Sequence, residues 1–141
     1  MTHHQFDDKR ETDTMNPAIQ QALDQDETID ITTIGRQSGR PQRIEIWFRR
    51  VARRTYITGT PGPRDWVANL LAEPRFTFHL KGSVQADLPA RAQPITDPAE
   101  RRRLLAAPVM HWYQQQVAAL DDLVEGSPLV EVLFEEEGNG S

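Results

Sequence analysis

Residues 32–48 read TTIGRQSGRPQRIEIWF, and this stretch decides the fold because two β-rich runs flank one turn sequence. The first run is rich in β-branched residues and the second alternates apolar and polar residues, as strands do. Between them, Gly35 and Gly39 permit positive φ, and Pro41 fixes its own φ. The stretch therefore predicts a hairpin whose turn has a defined shape.

The turn also concentrates groups that bind anions. Besides its backbone N–H groups it carries the Ser38 hydroxyl and the guanidinium groups of Arg36, Arg40 and Arg43. Donors of this kind suit phosphate or carboxylate. On residue chemistry alone, an anion site and a hairpin loop with solvated arginines are equally good interpretations.

The second strand of the hairpin is predicted over residues 42–49, and its alternation gives it two different faces. One face carries Ile44, Ile46 and Phe48, which we expect in the core. The other face carries Arg43, Glu45 and Trp47, and we treat it as a candidate site.

A second stretch, TGTPGPRDW at residues 58–66, places a Gly/Pro-rich loop before a predicted helix with Asp65 as its N-cap and its end at Pro74. The start of a helix offers free N–H groups and a favourable dipole to an anion, and Arg64 lies beside it. Alone, this junction is most simply an ordinary strand-to-helix connection. Together with the arginine-rich turn, it favours a shared phosphate-bearing ligand.

The remaining elements complete an α+β pattern in which most strands follow one another directly. Asn16 and Pro17 open a helix to about Asp24, Asp97 and Pro98 open another, and apolar residues at helical spacing predict a helix over residues 109–123. The strands are predicted at residues 28–34, 42–49, 54–59, 75–81, 84–88 and 128–134. About six mostly sequence-adjacent strands with short flanking helices predict an antiparallel barrel-like α+β domain. The last strand is nearly apolar on both faces, so we expect it to be central or at an oligomer interface.

Length and composition set the domain organisation. The 141 residues suffice for one domain, which we place at residues 16–134, between a disordered N-terminal tail at 1–15 and an acidic C-terminal tail at 135–141. The chain contains no cysteine, which excludes disulfides and thiolate chemistry. It has no apolar run long enough to span a bilayer and no secretory signal pattern, so we expect a cytoplasmic protein.

Three other functional classes fit the sequence poorly. The basic segment at residues 32–54 holds seven arginines and one glutamate, yet the chain has a net charge of -5, which argues against nucleic-acid binding. Glu45, His79, Asp87 and His111 show no metal-ligand spacing, so we predict no metal site. The Gly-x-Ser-x-Gly elbow of a serine hydrolase is also missing from the sequence.

Two motifs carry a resemblance to a known family. TTIGRQSGRPQR at residues 32–43 resembles the Thr-Thr-x-Gly-Arg-x-Ser-Gly-x-x-Arg signature of the deazaflavin-dependent nitroreductase family, in the split β-barrel superfamily of flavin and deazaflavin oxidoreductases. WVANLLAEP at residues 66–74 resembles that family's Trp-x-x-Asn-Leu-x-Ala-x-Pro motif. The order and spacing of the motifs agree with the family over roughly residues 28–134.

The resemblance implies an antiparallel split β-barrel, commonly a homodimer, that binds the deazaflavin coenzyme F-420 in a groove between barrel and helices. Arg36, Ser38 and Arg43 would hold the phosphate and polyglutamate tail, with Gln37 where relatives carry lysine. The ring would run along the loop at residues 59–61. The implied cofactor-binding residues are Arg36, Gln37, Ser38, Arg43, Gly59, Thr60, Pro61, Arg64, Trp66 and Asn69.

The implied activity is hydride transfer from the reduced deazaflavin to a small, planar, electron-poor acceptor such as a quinone, nitroaromatic or enone. Tyr113 and His111, near the substrate side of relatives, are the candidate proton donors. The change to Gln37 and a shorter loop before the helix leave two alternatives. These are an FMN-binding oxidoreductase of the same superfamily and a non-catalytic carrier of a phosphorylated, flavin-like cofactor.

Overall fold

The computed structural model describes residues 16–135, and all seven strands in this part of the chain join one antiparallel sheet. The strands are β1 (Thr28–Ile34), β2 (Pro41–Trp47), β3 (Arg49–Val51), β4 (Arg54–Thr58), β5 (Arg75–Lys81), β6 (Gln85–Pro94) and β7 (Leu129–Phe134). Their order is β2-β1-β5-β6-β7-β4-β3. The predicted N-terminal tail at residues 1–15 lies outside the described residues, and so does the predicted C-terminal tail at residues 135–141 except for its first residue, Glu135.

The helices flank this sheet. They are α1 (Pro17–Gln25), α2 (Asp65–Ala72), α3 (Pro98–Leu105), α4 (His111–Gln115) and α5 (Leu120–Gly126), with a 3-10 turn at Pro108–Met110. Although β2 and β4 are far apart in the strand order, they approach each other in space. The sheet therefore curls into an open barrel, which confirms the predicted α+β split β-barrel with one more strand than expected.

The additional strand arises because the predicted strand over residues 42–49 divides at Phe48. The Phe48 N–H donates to the Glu27 carbonyl at 2.9 Å, and its ring is buried between the two short runs. It packs edge-to-face on Phe78, with ring centroids 5.3 Å apart. The inward turn of one aromatic residue thus ends β2 and starts β3.

The expectation that Ile44, Ile46 and Phe48 form a core face was correct for Phe48 and wrong for Ile44. Phe48 is buried, Ile46 is half-buried against the core, and Ile44 is 38% exposed. The reason is the position of β2 at the edge of the curled sheet, paired only with β1 among the described strands. The inner face of an edge strand need not be covered, and here it borders an open groove.

Two apolar clusters fill the molecule. The larger lies inside the curled sheet, where Phe78 packs edge-to-face on Phe134 at 5.1 Å. The smaller lies on the other face of β4 and β7, under α3, α4 and α5, and includes Tyr56, Leu104 and Tyr113. Because β7 is central and buried on both faces, the prediction for residues 128–134 is confirmed.

Three predicted boundaries moved. The single helix expected over residues 109–123 is divided into the 3-10 turn, α4 and α5. The last division occurs because Ala119 is extended and its N–H donates to the Asp122 carboxylate at 3.2 Å, which starts a new helix. Asp65 is the first residue of α2 and Arg64 is the cap. β6 continues through Pro89 because this residue, which has no N–H, needs none here: its backbone faces the side on which β7 has ended. On that side the Pro89 carbonyl accepts a hydrogen bond from the Glu135 N–H at 3.0 Å.

The other helix starts agree with the sequence. The Asn16 side chain accepts from the Ala18 N–H at 2.6 Å, and the Asp97 side chain accepts from the Glu100 N–H at 2.9 Å. Both helices have proline as their first residue. Local capping chemistry was sufficient to locate these two helices.

Candidate functional site

The turn between β1 and β2 is held by two backbone hydrogen bonds. The Gly35 N–H donates to the Arg40 carbonyl and the Gly39 N–H donates to the Gly35 carbonyl, both at 2.8 Å. Gly39 has φ +72°, which favours glycine, and a Cβ atom on Gly35 would lie 2.6 Å from Ser38 Oγ. The turn therefore has the defined shape that its glycines predicted.

Asn69 fastens this turn to α2. Its Oδ1 accepts from the backbone N–H of Arg36 at 3.1 Å and from Arg36 Nη1 at 2.9 Å. Its Nδ2 donates to Thr33 Oγ1 at 3.3 Å, and both Asn69 and Thr33 are buried. The two sequence motifs are thus joined through one amide, which occupies Asn69 with protein contacts.

A small cavity of about 180 Å³, here called the turn pocket, lies between the turn and the start of α2. It combines an arginine, two glutamines, a serine and an asparagine with one carboxylate, and Arg36 Nη2 lies 3.4 Å from Asp65 Oδ1. The pocket offers many hydrogen-bond donors but little net positive charge. Its lining residues are Gly35, Arg36, Gln37, Ser38, Gln42, Asp65 and Asn69.

A larger cavity of about 370 Å³, here called the aromatic pocket, adjoins the same strand and the same helix. One wall is the exposed inner side of β2, and the others come from the β4–α2 segment and from α4. Three tryptophans and one tyrosine give it a mostly apolar lining. The lining residues are Ile44, Glu45, Ile46, Trp47, Thr58, Gly59, Thr60, Arg64, Trp66, Trp112 and Tyr113.

Arg64 shapes one wall of the aromatic pocket. Its Nη2 donates to the carbonyl of Thr60 at 2.8 Å and to Thr60 Oγ1 at 3.0 Å, and its Nη1 donates to the carbonyl of Gly62 at 3.0 Å. A Cβ atom on Gly59 would lie 3.2 Å from Arg64 Nη2. The guanidinium therefore holds the loop at residues 59–63 in place and satisfies the carbonyls of Thr60 and Gly62.

The aromatic rings of the pocket pack edge-to-face on one another. The centroid of Trp112 lies 5.2 Å from those of both Trp47 and Tyr113, and Trp47 and Tyr113 are 6.5 Å apart. Tyr113 is buried, and burial raises the pKa of its hydroxyl, while the nearby Arg49 charge acts in the opposite direction. The packed rings form an apolar wall of the pocket.

The pockets bring together most of the predicted site residues, but not all. Arg36, Gln37, Ser38 and Asn69 line the turn pocket, and Gly59, Thr60, Arg64, Trp66 and Tyr113 line the aromatic pocket. Three predicted residues lie outside both linings, namely Arg43, Pro61 and His111.

Each of these three has a definite place in the fold. Arg43 Nε donates to Asp30 Oδ2 at 2.9 Å, because residue 43 faces away from the side of β2 that carries Gln42 and Ile44. Pro61 packs beside Gly126, and His111 is exposed at the first position of α4. Their roles toward a cofactor stay predictions.

Polar residues whose roles the sequence left open lie on the outer face of the sheet. Lys81 Nζ bridges Asp30 at 2.7 Å and Glu45 at 2.5 Å, and these contacts lower the pKa of Asp30 and raise that of Lys81. His79 lies 2.7 Å from Thr32 Oγ1 and 2.8 Å from Asp87 Oδ1. Residues 16–135 contain no group of three potential metal ligands, and these contacts are cross-strand pairs.

Several lining residues escaped the sequence interpretation. Gln42 and Asp65 border the turn pocket, and Ile44, Ile46 and Thr58 border the aromatic pocket. Strict alternation made the two isoleucines look like core residues. The arginine-rich turn was the signal that could have identified them. β2 follows directly from this turn, so residues on the inner side of β2 lie along the same groove as the turn pocket.

A fold of this kind occurs in solved structures with little sequence identity to this chain. A conserved hypothetical protein from Mycobacterium tuberculosis is 18% identical, with 86% of this chain and 82% of that chain covered and a TM-score of 0.65. A structure described as an F420 reductase is 16% identical, with 83% and 93% covered and a TM-score of 0.57. An FAD-binding protein from Mesorhizobium loti is 15% identical, with 86% and 91% covered and a TM-score of 0.60. No curated protein matches the chain at a significant level.

The curled antiparallel sheet and its flanking helices define a split-barrel fold. The sequence pattern of the F420H(2)-dependent quinone reductase family matches residues 6–122, most of the chain. The chain therefore belongs to that family, whose name identifies an oxidoreductase that uses the deazaflavin coenzyme. None of the helices in the described part of the chain is long and apolar enough to cross a membrane.

Proposed function

We propose that this protein transfers a hydride from reduced coenzyme F-420 to a small, planar, electron-poor acceptor, with a quinone as the first choice. The observation that carries the proposal is the adjacency of two unlike pockets along β2 and the start of α2. A coenzyme with an anionic tail and a flat ring has the same division into polar and apolar parts. Family membership supports the deazaflavin as the coenzyme.

The residues present fit the coenzyme. In the turn pocket, Arg36, Gln37 and Ser38 would donate hydrogen bonds to its phosphate-bearing tail. In the aromatic pocket, the loop at Gly59 and Thr60 would run beside the ring. When bound, the coenzyme supplies a hydride, and no residue of this chain replaces that chemistry.

The protein contributes position, exclusion of water and a proton. The packed rings of Trp47, Trp112 and Tyr113 would hold an acceptor flat and keep water from it. Tyr113 is a buried residue that lines the pocket, and we propose its hydroxyl as the proton donor. His111, the other candidate from the sequence, is exposed and lies outside the lining.

An FMN-dependent oxidoreductase is the second candidate. The observation that favours it is the small net charge of the turn pocket, where Asp65 pairs with Arg36 and Gln37 adds no charge. A polyglutamate tail gains most from a strongly positive site, whereas one phosphate needs less. A non-catalytic carrier of a phosphorylated, flavin-like cofactor is the third candidate.

Titration of the purified protein separates these candidates. We expect quenching of deazaflavin fluorescence on binding, together with oxidation of reduced F-420 when a quinone is added. Tighter binding of FMN than of F-420 would favour the second candidate. Binding of either molecule without turnover of quinones, nitroaromatics or enones would favour the carrier.

A further inference from the structure

Arg49 is a buried cation directly behind the aromatic pocket. It is the first residue of β3 and is 8% exposed. Its guanidinium carbon lies 5.3 Å from the ring centroid of Trp47 and 5.2 Å from that of Tyr113. Both rings line the aromatic pocket, so one cation contacts two of its walls.

The guanidinium is held by backbone and not by a carboxylate. Its Nε donates to the Val109 carbonyl at 3.2 Å and its Nη1 to the Phe48 carbonyl at 3.0 Å. Within residues 16–135, no carboxylate forms an ion pair with Arg49, whereas Arg43 and Arg103 pair with acids at 2.9 Å. A buried charge without a counter-ion exerts a strong field on its surroundings, because little solvent screens it.

We propose that Arg49 is a positioning residue that fixes the Tyr113 ring in the pocket wall and makes its hydroxyl a stronger proton donor to the acceptor. The proposal rests on the proposed function for its acceptor. A hydride and a proton together convert a quinone to a hydroquinone. The Tyr113 O–H bond breaks, the acceptor oxygen takes the proton, and the tyrosinate left beside Arg49 regains a proton from water.

The charge of Arg49 opposes the effect of burial on Tyr113. Burial disfavours the tyrosinate and raises the pKa of Tyr113, while Arg49 lowers that pKa and Glu27 raises it. Two charged groups act on Tyr113, namely Arg49 from β3 and Glu27 from the position before β1. Glu45 and Arg64 line the same pocket, and His111 begins the helix that carries Tyr113.

The chain allows a direct test, because Tyr56 and Tyr113 are its only tyrosines. In a Tyr56→Phe background, ultraviolet absorbance against pH follows the ionisation of Tyr113 alone, without coenzyme. Arg49→Gln keeps a donor for the carbonyls and removes the charge. We expect it to raise the midpoint pH of that titration, and Arg49→Lys to restore much of the difference. Glu27→Gln, at an exposed position, should move the midpoint the other way.

The outcomes separate this inference from the proposed function. An unchanged midpoint in Arg49→Gln overturns the role of Arg49, even if the parent reduces quinones. If Arg49→Gln raises the midpoint of the Tyr113 titration but the parent protein reduces no acceptor, the Arg49–Tyr113 coupling is supported and the proposed function is overturned. With turnover present, we expect Arg49→Gln to lower kcat more than it changes KM, and an unchanged kcat overturns the proton-donor role. Circular dichroism verifies folding, and Arg49→Met is the second neutral variant if Arg49→Gln does not fold.

Discussion

Asn69 Oδ1 accepts two hydrogen bonds from Arg36, one from its backbone N–H and one from its guanidinium. One amide oxygen therefore fixes both the path of the turn and the direction of the Arg36 guanidinium. The same side chain reaches Thr33 on β1, so the turn, the helix and the sheet meet at a single buried residue.

Asn69→Ala should destabilise the protein and loosen the turn pocket. The substitution leaves the Arg36 N–H and the buried Thr33 hydroxyl without a partner, which costs about 1–3 kcal/mol. Urea unfolding measures the loss. Leu71→Ala on the same helix is the matched control, because Leu71 is 64% exposed and its truncation should change the free energy of unfolding by about 0.5 kcal/mol or less. Equal losses in the two variants would contradict the role assigned to Asn69.

Arg36→Ala should weaken F-420 binding more than Arg43→Ala does. Arg36 lines the turn pocket, and loss of a charge-assisted contact to phosphate costs roughly 1.5–3 kcal/mol. Arg43 pairs with Asp30 on the other face of β2, so its removal should change the dissociation constant little. Fluorescence titration of both variants at one salt concentration makes the comparison. The reverse order would place the coenzyme tail on the outer face of the sheet.

Asp65→Asn should tighten binding of the anionic coenzyme. The carboxylate is 93% exposed and lies 3.4 Å from Arg36, where it competes with the ligand for the guanidinium. Exposed pairs contribute about 0.2–1 kcal/mol, so the gain in affinity should be a few-fold and should shrink as salt is added. Glu125→Gln removes the same charge from an exposed position on α5 and serves as the control. A gain of equal size in the control would show that only net charge matters.

Glu131→Gln should stabilise the protein at neutral pH. Glu131 is buried under the helices, and burial raises the pKa of its carboxyl despite Arg54, whose Nε lies 3.6 Å away. With its folded pKa above its unfolded pKa, the group binds more protons in the folded state, so its contribution to stability falls as pH rises. The gain in unfolding free energy from Glu131→Gln should therefore shrink as the pH is lowered from neutral towards the unfolded pKa of glutamate. Thermal unfolding across that range tests this, and a constant advantage would contradict it.

Local chemistry predicted much of this fold, and tertiary context decided the rest. The turn glycines and the caps at Asn16 and Asp97 could be identified because each acts on near neighbours in sequence. Arg36 and Asn69 were named from the family motifs, and their contact joins segments that are 33 residues apart. Ile44 could not be placed, since periodicity gives the face of a strand but not whether the strand lies at an edge.

Three arginines near the two pockets show the same limit. Arg43, Arg49 and Arg64 look alike in sequence, yet one pairs across strands, one lies buried between two rings and one closes a loop. Only the packing of distant segments distinguishes these three environments. The sequence therefore indicated an anion site but not the buried cation beside the aromatic pocket.

Among the described strands, β2 is bonded only to β1, and its inner side borders the aromatic pocket. One wall of the site can therefore change shape without disturbing the rest of the sheet. If the proposed function holds, substitutions at Ile44, which is 38% exposed, would alter the size and width of the acceptors admitted at small cost to folding. A protein built on this frame could then acquire new substrates by evolution at a few positions of one strand, without change to the turn pocket.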